Sequence, residues 1–385
     1  MVPRIGPAHV VNMKIPIFQL ERNQSLWENL VDYNLSESGV HPLSLKEVFN
    51  GQPESLERLI EYELGYSQTN GTLALRERIA ALYPEATPDN ILVTNGTSEA
   101  NFVSMWALFE PGDELIVMLP NYLQIYGLGS IWQGQVHPFN LRLENGWRPD
   151  LDDLQRHLGP QTRAIAICNP NNPTGAILNA EDRSAIIDAA SRYGTWIIAD
   201  EVYQGAEHAG EITTSFWNED YDRIIVTNGL SKAYGLPGLR LGWIVAPEQV
   251  AESLWSYRDY TTIAPATLSD RVAQRVLEPE TRERIFQRTR SILETNFEIV
   301  SEWSRPHSFL RLERPRAGAI ALFQYDLPRS SEDLVEELRR ECSVLLCPGA
   351  HFGLDKFFRL GYGGKEKHLR KGLEWVSQGL LGMRT

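Results

Sequence analysis

Short apolar runs that alternate with helical segments limit the fold of this chain more than any other feature of its sequence. The apolar runs, each long enough for one buried strand, are residues 91–94, 114–119, 164–168, 195–199, 223–227 and 242–246. Helical spacing of apolar residues separates most of them, notably over residues 99–109 and 180–193. Strands that are apolar on both faces lie in parallel sheets covered by helices. The pattern therefore predicts an α/β fold, with a mostly parallel sheet between layers of helices.

The ends of the chain predict an N-terminal arm and a second, smaller α+β unit. A short amphipathic helix is predicted around Trp27, Leu30 and Val31. The other predicted elements are helices at 56–64, 73–82, 283–303 and 365–380 and strands at 319–325 and 344–346. We therefore expect three parts: residues 1–50 as an arm that also joins the small domain, residues 51–275 as the large domain, and residues 276–385 as the small domain. Met1 and Met13 are alternative starts, the second of which makes residues 1–12 a leader.

The composition argues against several classes of partner. The formal net charge of −13 at pH 7 disfavours nucleic acid and anionic membranes. No apolar run reaches the length of a membrane span, and the first residues lack the apolar core of a signal peptide. The cysteines show neither disulfide nor metal spacing, so we expect free thiols in a cytoplasmic protein. They are Cys168, Cys342 and Cys347.

A lysine and an arginine lie in a glycine-rich loop after the fifth apolar run. Residues 228–243 read NGLSKAYGLPGLRLGW, with Lys232 near the end of the strand and Arg240 eight residues later. A desolvated lysine favours its neutral amine and is then a nucleophile for a carbonyl group. The arginine is suited to an anion, above all a phosphate. The alternative is that both side chains are exposed on a loop.

Polar residues follow three other predicted strands, at the edge where open α/β sheets bind ligands. Residues 95–99 (NGTSE) lead from a strand into a helix, an arrangement that binds an anion or only caps the helix. Asp200 and Tyr203 follow the run at 195–199, and Asp200 is either a ligand-binding acid or another cap. Residues 169–175 (NPNNPTG) confine asparagines between prolines, in a turn that can direct a side chain.

Together and in this order, these segments resemble the fold type I pyridoxal phosphate enzymes, specifically the class I/II aminotransferase superfamily. The resemblance rests on NPNNPTG at 169–175, DEVY at 200–203 and SKAYGLPGLRLGW at 231–243. It extends from about residue 34 to about residue 363. It implies an aspartate aminotransferase-like fold, pyridoxal 5'-phosphate as cofactor, an amino acid as substrate, and a homodimer with composite active sites.

The resemblance implies roles for residues around the cofactor ring, with Lys232, Asp200 and Tyr203 as catalytic residues. Lys232 would bind the cofactor covalently and then move protons at the substrate as acid and base. Asp200 would keep the pyridine nitrogen protonated, so that the ring accepts electrons. Asn172 and Tyr203 would hydrogen-bond the phenolic oxygen, and Tyr122 would stack on the ring face.

The same resemblance implies residues that bind phosphate and carboxylate groups. The implied phosphate ligands are Thr97, Ser98, Arg240 and, as a weaker candidate, Ser231. Tyr66 would reach the phosphate of the neighbouring subunit. Arg359, flanked by apolar residues, would bind the substrate α-carboxylate with two hydrogen bonds. The other implied substrate-binding residues are Asn172, Gly39 and His41, and His41 would assist proton transfer if its turn covers the site.

Within the superfamily, Ser38-Gly39-Val40-His41 and residues 231–240 resemble the capreomycidine synthases, which cyclise a hydroxylated arginine in natural-product pathways. This favours cyclodehydration of a hydroxylated L-arginine to a cyclic guanidino amino acid of the capreomycidine or enduracididine type. An ordinary aminotransferase and an oxygen-using arginine oxidase remain alternatives, because NPNNPTG and DEVY are the general forms. An arginine substrate needs an acidic partner, yet we expect each of Glu21, Glu28 and Glu37 to be solvated at the surface.

Overall fold

The computed structural model describes residues 15–50, 52–132 and 134–383, and the alternative start at Met13 with its leader lies outside them. The described strands are β1 (Tyr33–Asn34), β2 (Ile91–Thr94), β3 (Glu114–Leu119), β4 (Val136–Arg142), β5 (Arg148–Pro149), β6 (Thr162–Cys168), β7 (Trp196–Asp200), β8 (Ile224–Gly229), β9 (Gly242–Val245), β10 (Leu310–Leu312), β11 (Ile320–Tyr325), β12 (Val344–Leu345), β13 (Cys347–Pro348) and β14 (Phe357–Gly361).

The described α-helices are α1 (Gln19–Trp27), α2 (Leu45–Val48), α3 (Pro53–Ile60), α4 (Leu73–Ala80), α5 (Thr97–Leu108), α6 (Gln124–Gly129), α7 (Leu151–His157), α8 (Ala180–Ser191), α9 (Glu248–Arg258), α10 (Thr267–Val276), α11 (Pro279–Ser304), α12 (Ser331–Cys342) and α13 (Glu366–Gly382). None of them combines the length and the apolar content that a membrane crossing needs.

The large sheet confirms the predicted α/β class. Its strand order is β2-β9-β8-β7-β6-β3-β4-β5. The central pairs, from β8 through β7, β6 and β3 to β4, are parallel, while β9 runs antiparallel to both of its neighbours. Every residue of β2, β8 and β9 is buried, because helices cover both faces of the sheet. The predicted strands agree with the observed ones to within two residues at each end.

A second sheet forms near the C-terminus, with antiparallel order β10-β11-β14-β13. The N-terminal segment joins this part of the chain, because β1 pairs in parallel with β12, Tyr33 opposite Val344. Apolar residues of α11, α12 and α13 and of these strands belong to the same core cluster as much of the large sheet. The predicted division at residues 50 and 275 stays a prediction.

The segment of residues 35–41, here called the strap, crosses the end of β14 at very close range. Its backbone is bonded to that strand and the residues after it: the Gly361 amide donates to the Leu35 carbonyl at 2.7 Å, and the His41 amide donates to the Gly363 carbonyl at 2.7 Å. A Cβ atom on Gly361 would lie 1.8 Å from the Glu37 carbonyl oxygen. Glycine is therefore required there for the two segments to approach.

The predicted helix around Trp27, Leu30 and Val31 is wrong in position. The observed helix α1 ends at Trp27, and residues 28–30 form a turn. Its buried residues are Leu20 and Gln24, one turn apart. Leu20 packs against Cys347 and Phe352. The buried face of α1 therefore consists of one leucine and one glutamine. A polar residue on the buried face concealed this periodicity in the sequence.

Candidate active site

A cavity of about 260 Å³ lies at the carboxyl ends of the central strands β6, β7 and β8. Open parallel sheets bind ligands at this edge. The cavity is lined by ten of the residues that the sequence analysis singled out: Thr97, Ser98, Tyr122, Asn172, Asp200, Tyr203, Ser231, Lys232, Arg240 and Arg359. The fold therefore brings together side chains that are widely separated in the sequence.

Lys232 follows β8 through a short turn and reaches into the cavity. Burial lowers the pKa of its amine, as do Arg359 and Arg240, while Glu37 and Glu21 oppose the shift. The strap passes beside it, because a Cβ atom on Gly39 would lie 3.5 Å from Lys232 Cδ. A lysine in this setting favours the neutral, nucleophilic amine more than an exposed one does.

Asp200 ends β7 beneath the cavity and does not cap a helix. Its carboxylate accepts hydrogen bonds from Asn101 Nδ2 at 3.0 Å and from the Val202 amide at 3.1 Å. Burial raises the pKa of Asp200, while these two donors and Lys232 act in the opposite direction. Asn101 was not found from the sequence, although a single asparagine within the apolar face of a predicted helix is a usable signal.

The start of α5 forms a cradle of the kind that binds an anion. Gly96 is the N-cap residue, with φ 91° and no side-chain cap. Arg240 lies directly above it, since a Cβ atom on Gly96 would come within 2.5 Å of Arg240 Nη2. Thr97 Oγ1 is buried and has no hydrogen-bond partner among the described residues. Amide groups of a helix N-terminus, a hydroxyl without a partner and a guanidinium are complementary to a phosphate.

Arg359 is a fully buried arginine in β14, 1% exposed, and it also lines the cavity. Its Nη1 donates to Asn172 Oδ1 at 2.8 Å, and its Nη2 donates to the Ser36 carbonyl at 2.6 Å. Nη2 also contacts Cys347 Sγ at 3.1 Å. Its Nε is buried and has no hydrogen-bond partner among the described residues. A guanidinium held this firmly, with a donor to spare, is suited to a carboxylate.

Three glutamates at the cavity mouth form what we call the acidic rim: Glu21, Glu28 and Glu37. Glu21 and Glu37 are exposed, as the sequence analysis expected, and Glu28 is half-buried, yet all three also line the cavity. Burial raises the pKa of Glu28, and the charges of Glu37 and Glu21 raise it further. Mutual repulsion of this kind is relieved when a cation binds between the carboxylates.

Two tyrosines and a cysteine complete the walls. Tyr122 donates from its hydroxyl to Glu21 Oε1 at 2.7 Å and packs edge-to-face on Phe18, 4.8 Å between ring centroids. Tyr203 is buried, and burial raises the pKa of its hydroxyl. Cys168 also lines the cavity, where the sequence analysis expected only a free thiol.

Three residues of the sequence-predicted site do not line this cavity. Gly39 lies behind Lys232, in the strap. The His41 ring is turned toward Arg288, whose Nη2 donates to His41 Nδ1 at 2.8 Å. Burial and the charge of Arg288 lower the pKa of His41. Tyr66 is 89% exposed and is not among the described residues that line the cavity of its own chain.

Comparisons with known proteins agree with this arrangement. The family model for aminotransferase class I and II matches residues 38–376. Capreomycidine synthase of Streptomyces vinaceus is 31% identical over 350 residues, covering 90% of this chain and 89% of that protein. Aspartate aminotransferase of Thermotoga maritima is 28% identical, covering 84% of this chain and 85% of that protein. A solved PLP-dependent aminotransferase from Streptococcus suis superimposes with a TM-score of 0.90 at 34% identity, covering 97% of this chain and 99% of that one.

Proposed function

The chain belongs to the class I and II aminotransferase family, and from this premise we propose that it cyclises a hydroxylated L-arginine. The product would be a cyclic guanidino amino acid of the capreomycidine or enduracididine type, formed in natural-product biosynthesis. In this reaction the bond between carbon and the side-chain hydroxyl breaks, a guanidine nitrogen bonds to the same carbon, and water leaves. Neither an oxidant nor an amino acceptor is consumed.

The cofactor of the enzyme is pyridoxal 5'-phosphate, and the cavity fits it. The cradle at Gly96 suits the phosphate, because it combines Arg240 with a Thr97 hydroxyl that no other described residue binds. Ser98 and Ser231 border the same space. Asp200 is a buried acid of the kind that pairs with a pyridine nitrogen. When bound, the cofactor withdraws electrons from the substrate's Cα and so makes the Cα proton acidic.

We propose further contacts to the cofactor and the substrate from the other residues that line the cavity. Asn172 and Tyr203 are assigned to the phenolic oxygen, and Tyr122 is assigned to the ring face. Lys232, with its lowered pKa, is assigned to covalent attachment and to proton transfer at Cα. Arg359 is assigned to the α-carboxylate, because its Nε is a buried donor that has no hydrogen-bond partner within the described part of the chain. These contacts fix the two ends of the amino-acid backbone and direct its side chain toward the cavity mouth.

The acidic rim is the observation that carries the arginine assignment. A guanidinium is planar, always charged, and bound best by carboxylates. Glu21, Glu28 and Glu37 offer three carboxylates where a substrate side chain would lie, and the pKa of Glu28 is raised first by burial and then by the charges of Glu37 and Glu21. An acidic substrate would add a further negative charge to this group, and an apolar one would leave it unpaired. A cationic side chain is therefore favoured.

Product analysis tests the proposal. The enzyme is incubated in air with arginine or its β- and γ-hydroxy derivatives, together with 2-oxoglutarate, and product masses are read. Loss of water from a hydroxyarginine without consumption of the keto acid is the expected result. Formation of glutamate would instead identify an aminotransferase, and oxygen uptake would identify an oxidase.

Ordinary amino transfer from an L-amino acid to a 2-oxo acid is the second candidate function. It is favoured by the general form of NPNNPTG at residues 169–175 and by the similarity to aspartate aminotransferase. The two reactions use the same cofactor cradle and the same carboxylate-binding arginine. They differ in whether the amino group leaves the substrate, which the product masses decide.

We also propose that the enzyme is a cytosolic homodimer with composite active sites. Tyr66 and Tyr260 are 89% and 91% exposed, and Ile60 and Leu64 are 79% and 73% exposed. Ser67 Oγ donates to the Pro265 carbonyl at 3.0 Å, so the segments that carry these residues adjoin each other. Exposed apolar residues on adjoining segments are typical of a subunit interface. Tyr66 is then available to the cofactor phosphate of the partner.

A further inference from the structure

A buried polar chain runs from β8 to the carboxylate of Asp200. Thr227 Oγ1 donates to Asn101 Oδ1 at 2.7 Å, and Asn101 Nδ2 donates to Asp200 Oδ2 at 3.0 Å. Asn101 Nδ2 also contacts Gln124 Oε1 at 3.3 Å. Thr227 is 0% exposed and Asn101 is 1% exposed, so both contacts are buried. Because buried polar groups are costly when unpaired, each member of this chain fixes the next.

The chemistry of the groups sets the direction of the chain. An ionised Asp200 only accepts hydrogen bonds, so Asn101 must present its amino group to it. The amide oxygen then faces the opposite way, toward Thr227, whose hydroxyl donates. The strand register supports this layout, since Asp200 lies opposite Thr227 in the pair β7 and β8. Removing the Thr227 hydroxyl would leave the Asn101 amide oxygen without its donor and free the amide to rotate.

We propose that Asn101 is a positioning residue for Asp200, held in its orientation by Thr227. The inference rests on the proposed role of Asp200 toward the pyridine nitrogen. Asn101 and the Val202 amide are the two groups found to donate hydrogen bonds to the Asp200 carboxylate among the described residues. Only the first of them comes from a side chain, and it fixes the oxygen that Val202 does not bind. Asn101 thereby keeps the carboxylate ionised and aimed into the cavity.

The other titratable groups around Asp200 cannot take over this task. Cys168 lies opposite it in the pair β6 and β7, and its thiol donates to the Pro170 carbonyl at 3.3 Å. Glu201 accepts from the Phe216 amide. Lys232 attracts the Asp200 charge and lowers its pKa, whereas Tyr203 is itself disfavoured as an anion by that charge. Of these groups Lys232 alone favours the ionised carboxylate of Asp200. In the proposed function, however, Lys232 attaches the cofactor and transfers protons at Cα.

The test compares Thr227→Val with Thr227→Ser in the holoenzyme. Two readouts are taken: the pH midpoint of the visible absorbance of the cofactor attached to Lys232, and kcat with KM for the best substrate found. Valine keeps the shape but removes the donor, whereas serine keeps the hydroxyl. A hydrogen bond to a charged group affects such equilibria by about tenfold or more. We therefore expect Thr227→Val to lower kcat about tenfold with KM little changed and to raise the pH midpoint, and Thr227→Ser to restore both.

The midpoint is expected to rise because a less ionised Asp200 would support less positive charge on the cofactor ring. The proton on the nitrogen that links Lys232 to the cofactor would then be held more firmly. Asn101→Asp is a second, nearly isosteric variant that places another carboxylate beside Asp200, and it should raise the midpoint further. If Thr227→Val lowers only the melting temperature and leaves midpoint and kcat unchanged, the chain is structural and the inference is overturned. Asp200→Asn serves as the separate arm. If the pH midpoint shifts in Asp200→Asn but not in Thr227→Val, only the positioning role is refuted. If the midpoint shifts in neither variant, the proposed role of Asp200 is refuted as well.

Discussion

Lys232 is the residue on which the proposed chemistry depends most directly. Lys232→Ala should abolish the label that borohydride reduction fixes on this residue, and turnover should fall by about three orders of magnitude or more, because nucleophile and proton carrier are lost together. Peptide mass mapping after reduction locates the label. The exposed Lys367 provides the matched control, since Lys367→Ala should leave label and turnover unchanged. A label on another lysine would contradict the assignment.

Glu201, next to Asp200, makes stability depend on pH. It is 1% exposed, its Oε1 accepts from the Phe216 amide at 2.7 Å, and burial raises its pKa from 4.5 to about 8. Between these two values the folded protein holds a proton on Glu201 that the unfolded chain releases, so the contribution of Glu201 to stability is greatest at low pH and falls as the pH rises toward 8.

Glu201→Gln removes this dependence while keeping an oxygen acceptor for Phe216. Relative to the variant, the wild-type protein should lose about 2 kcal/mol of unfolding free energy between pH 6 and pH 8. Urea denaturation at the two pH values measures the difference. Glu252→Gln, an exposed position on α9, is the control. Parallel curves for wild type and Glu201→Gln would mean that Glu201 is ionised in the folded protein.

Site residues that belong to continuous motifs could be predicted from the sequence. Site residues whose contacts are with partners distant in the sequence could not. Lys232, Asp200 and Arg240 follow strands whose apolar pattern is clear, so their position at the carboxyl edge of the sheet followed directly. Asn101 contacts Asp200 from 99 positions away. No local pattern in a single sequence encodes such a contact. The three glutamates of the acidic rim were named as candidates for binding a guanidinium, but their position at the cavity could not be predicted, since helix α1 is placed there by tertiary contacts such as the packing of Leu20 on Cys347 and Phe352.

At the scale of elements, the strap and β14 form one unit that holds Arg359 in the cavity, where we propose that the substrate carboxylate binds. Gly361→Ala would place a Cβ atom 1.8 Å from the Glu37 carbonyl, a backbone atom that can yield only if the whole strap moves. The strap carries the Ser36 carbonyl that Arg359 binds and the Glu37 carboxylate of the acidic rim. We expect the KM of the substrate to rise by an order of magnitude or more.

The cofactor absorbance should persist in Gly361→Ala, because the cradle at Gly96 and Arg240 belongs to other elements. Steady-state kinetics and the absorbance spectrum together make the measurement. Gly364→Ala is a matched control three residues on, where a Cβ atom meets nothing within 4 Å. An unchanged KM in Gly361→Ala would show that the strap does not set substrate binding.

Edge elements show where sequence patterns fail. Strand β4 was not predicted, because His137, Pro138 and Asn140 interrupt its apolar pattern and most of its residues are only half buried. Helices α9 and α10 were missed because much of their surface is polar. The central strands, buried on both faces, were predicted to within two residues. Burial on both faces leaves a continuous apolar signal, whereas elements at the surface mix polar and apolar positions.

At the scale of the whole molecule, the exposed apolar residues near Tyr66 and Tyr260 predict a dimer. Light scattering after gel filtration should give twice the chain mass. Leu64→Glu combined with Tyr260→Glu should shift the protein toward monomers and weaken cofactor binding, because charges are disfavoured in an interface and Tyr66 would lose its partner. Leu381→Glu, at a leucine that is also exposed (51%), should stay dimeric. A wild-type monomer at micromolar concentration would contradict the proposal.

The strap also has a consequence for how the enzyme is made. The ribosome delivers the chain from one end to the other, and Arg359 lies 323 positions beyond its partner Ser36. A nascent chain that has emerged as far as Ser304 already contains the cradle residues and Lys232, but it lacks β14. We expect such a chain to hold cofactor before it can hold an amino acid. On the proposed role of Arg359, the reaction would therefore need β14, and an incomplete nascent chain would not carry it out.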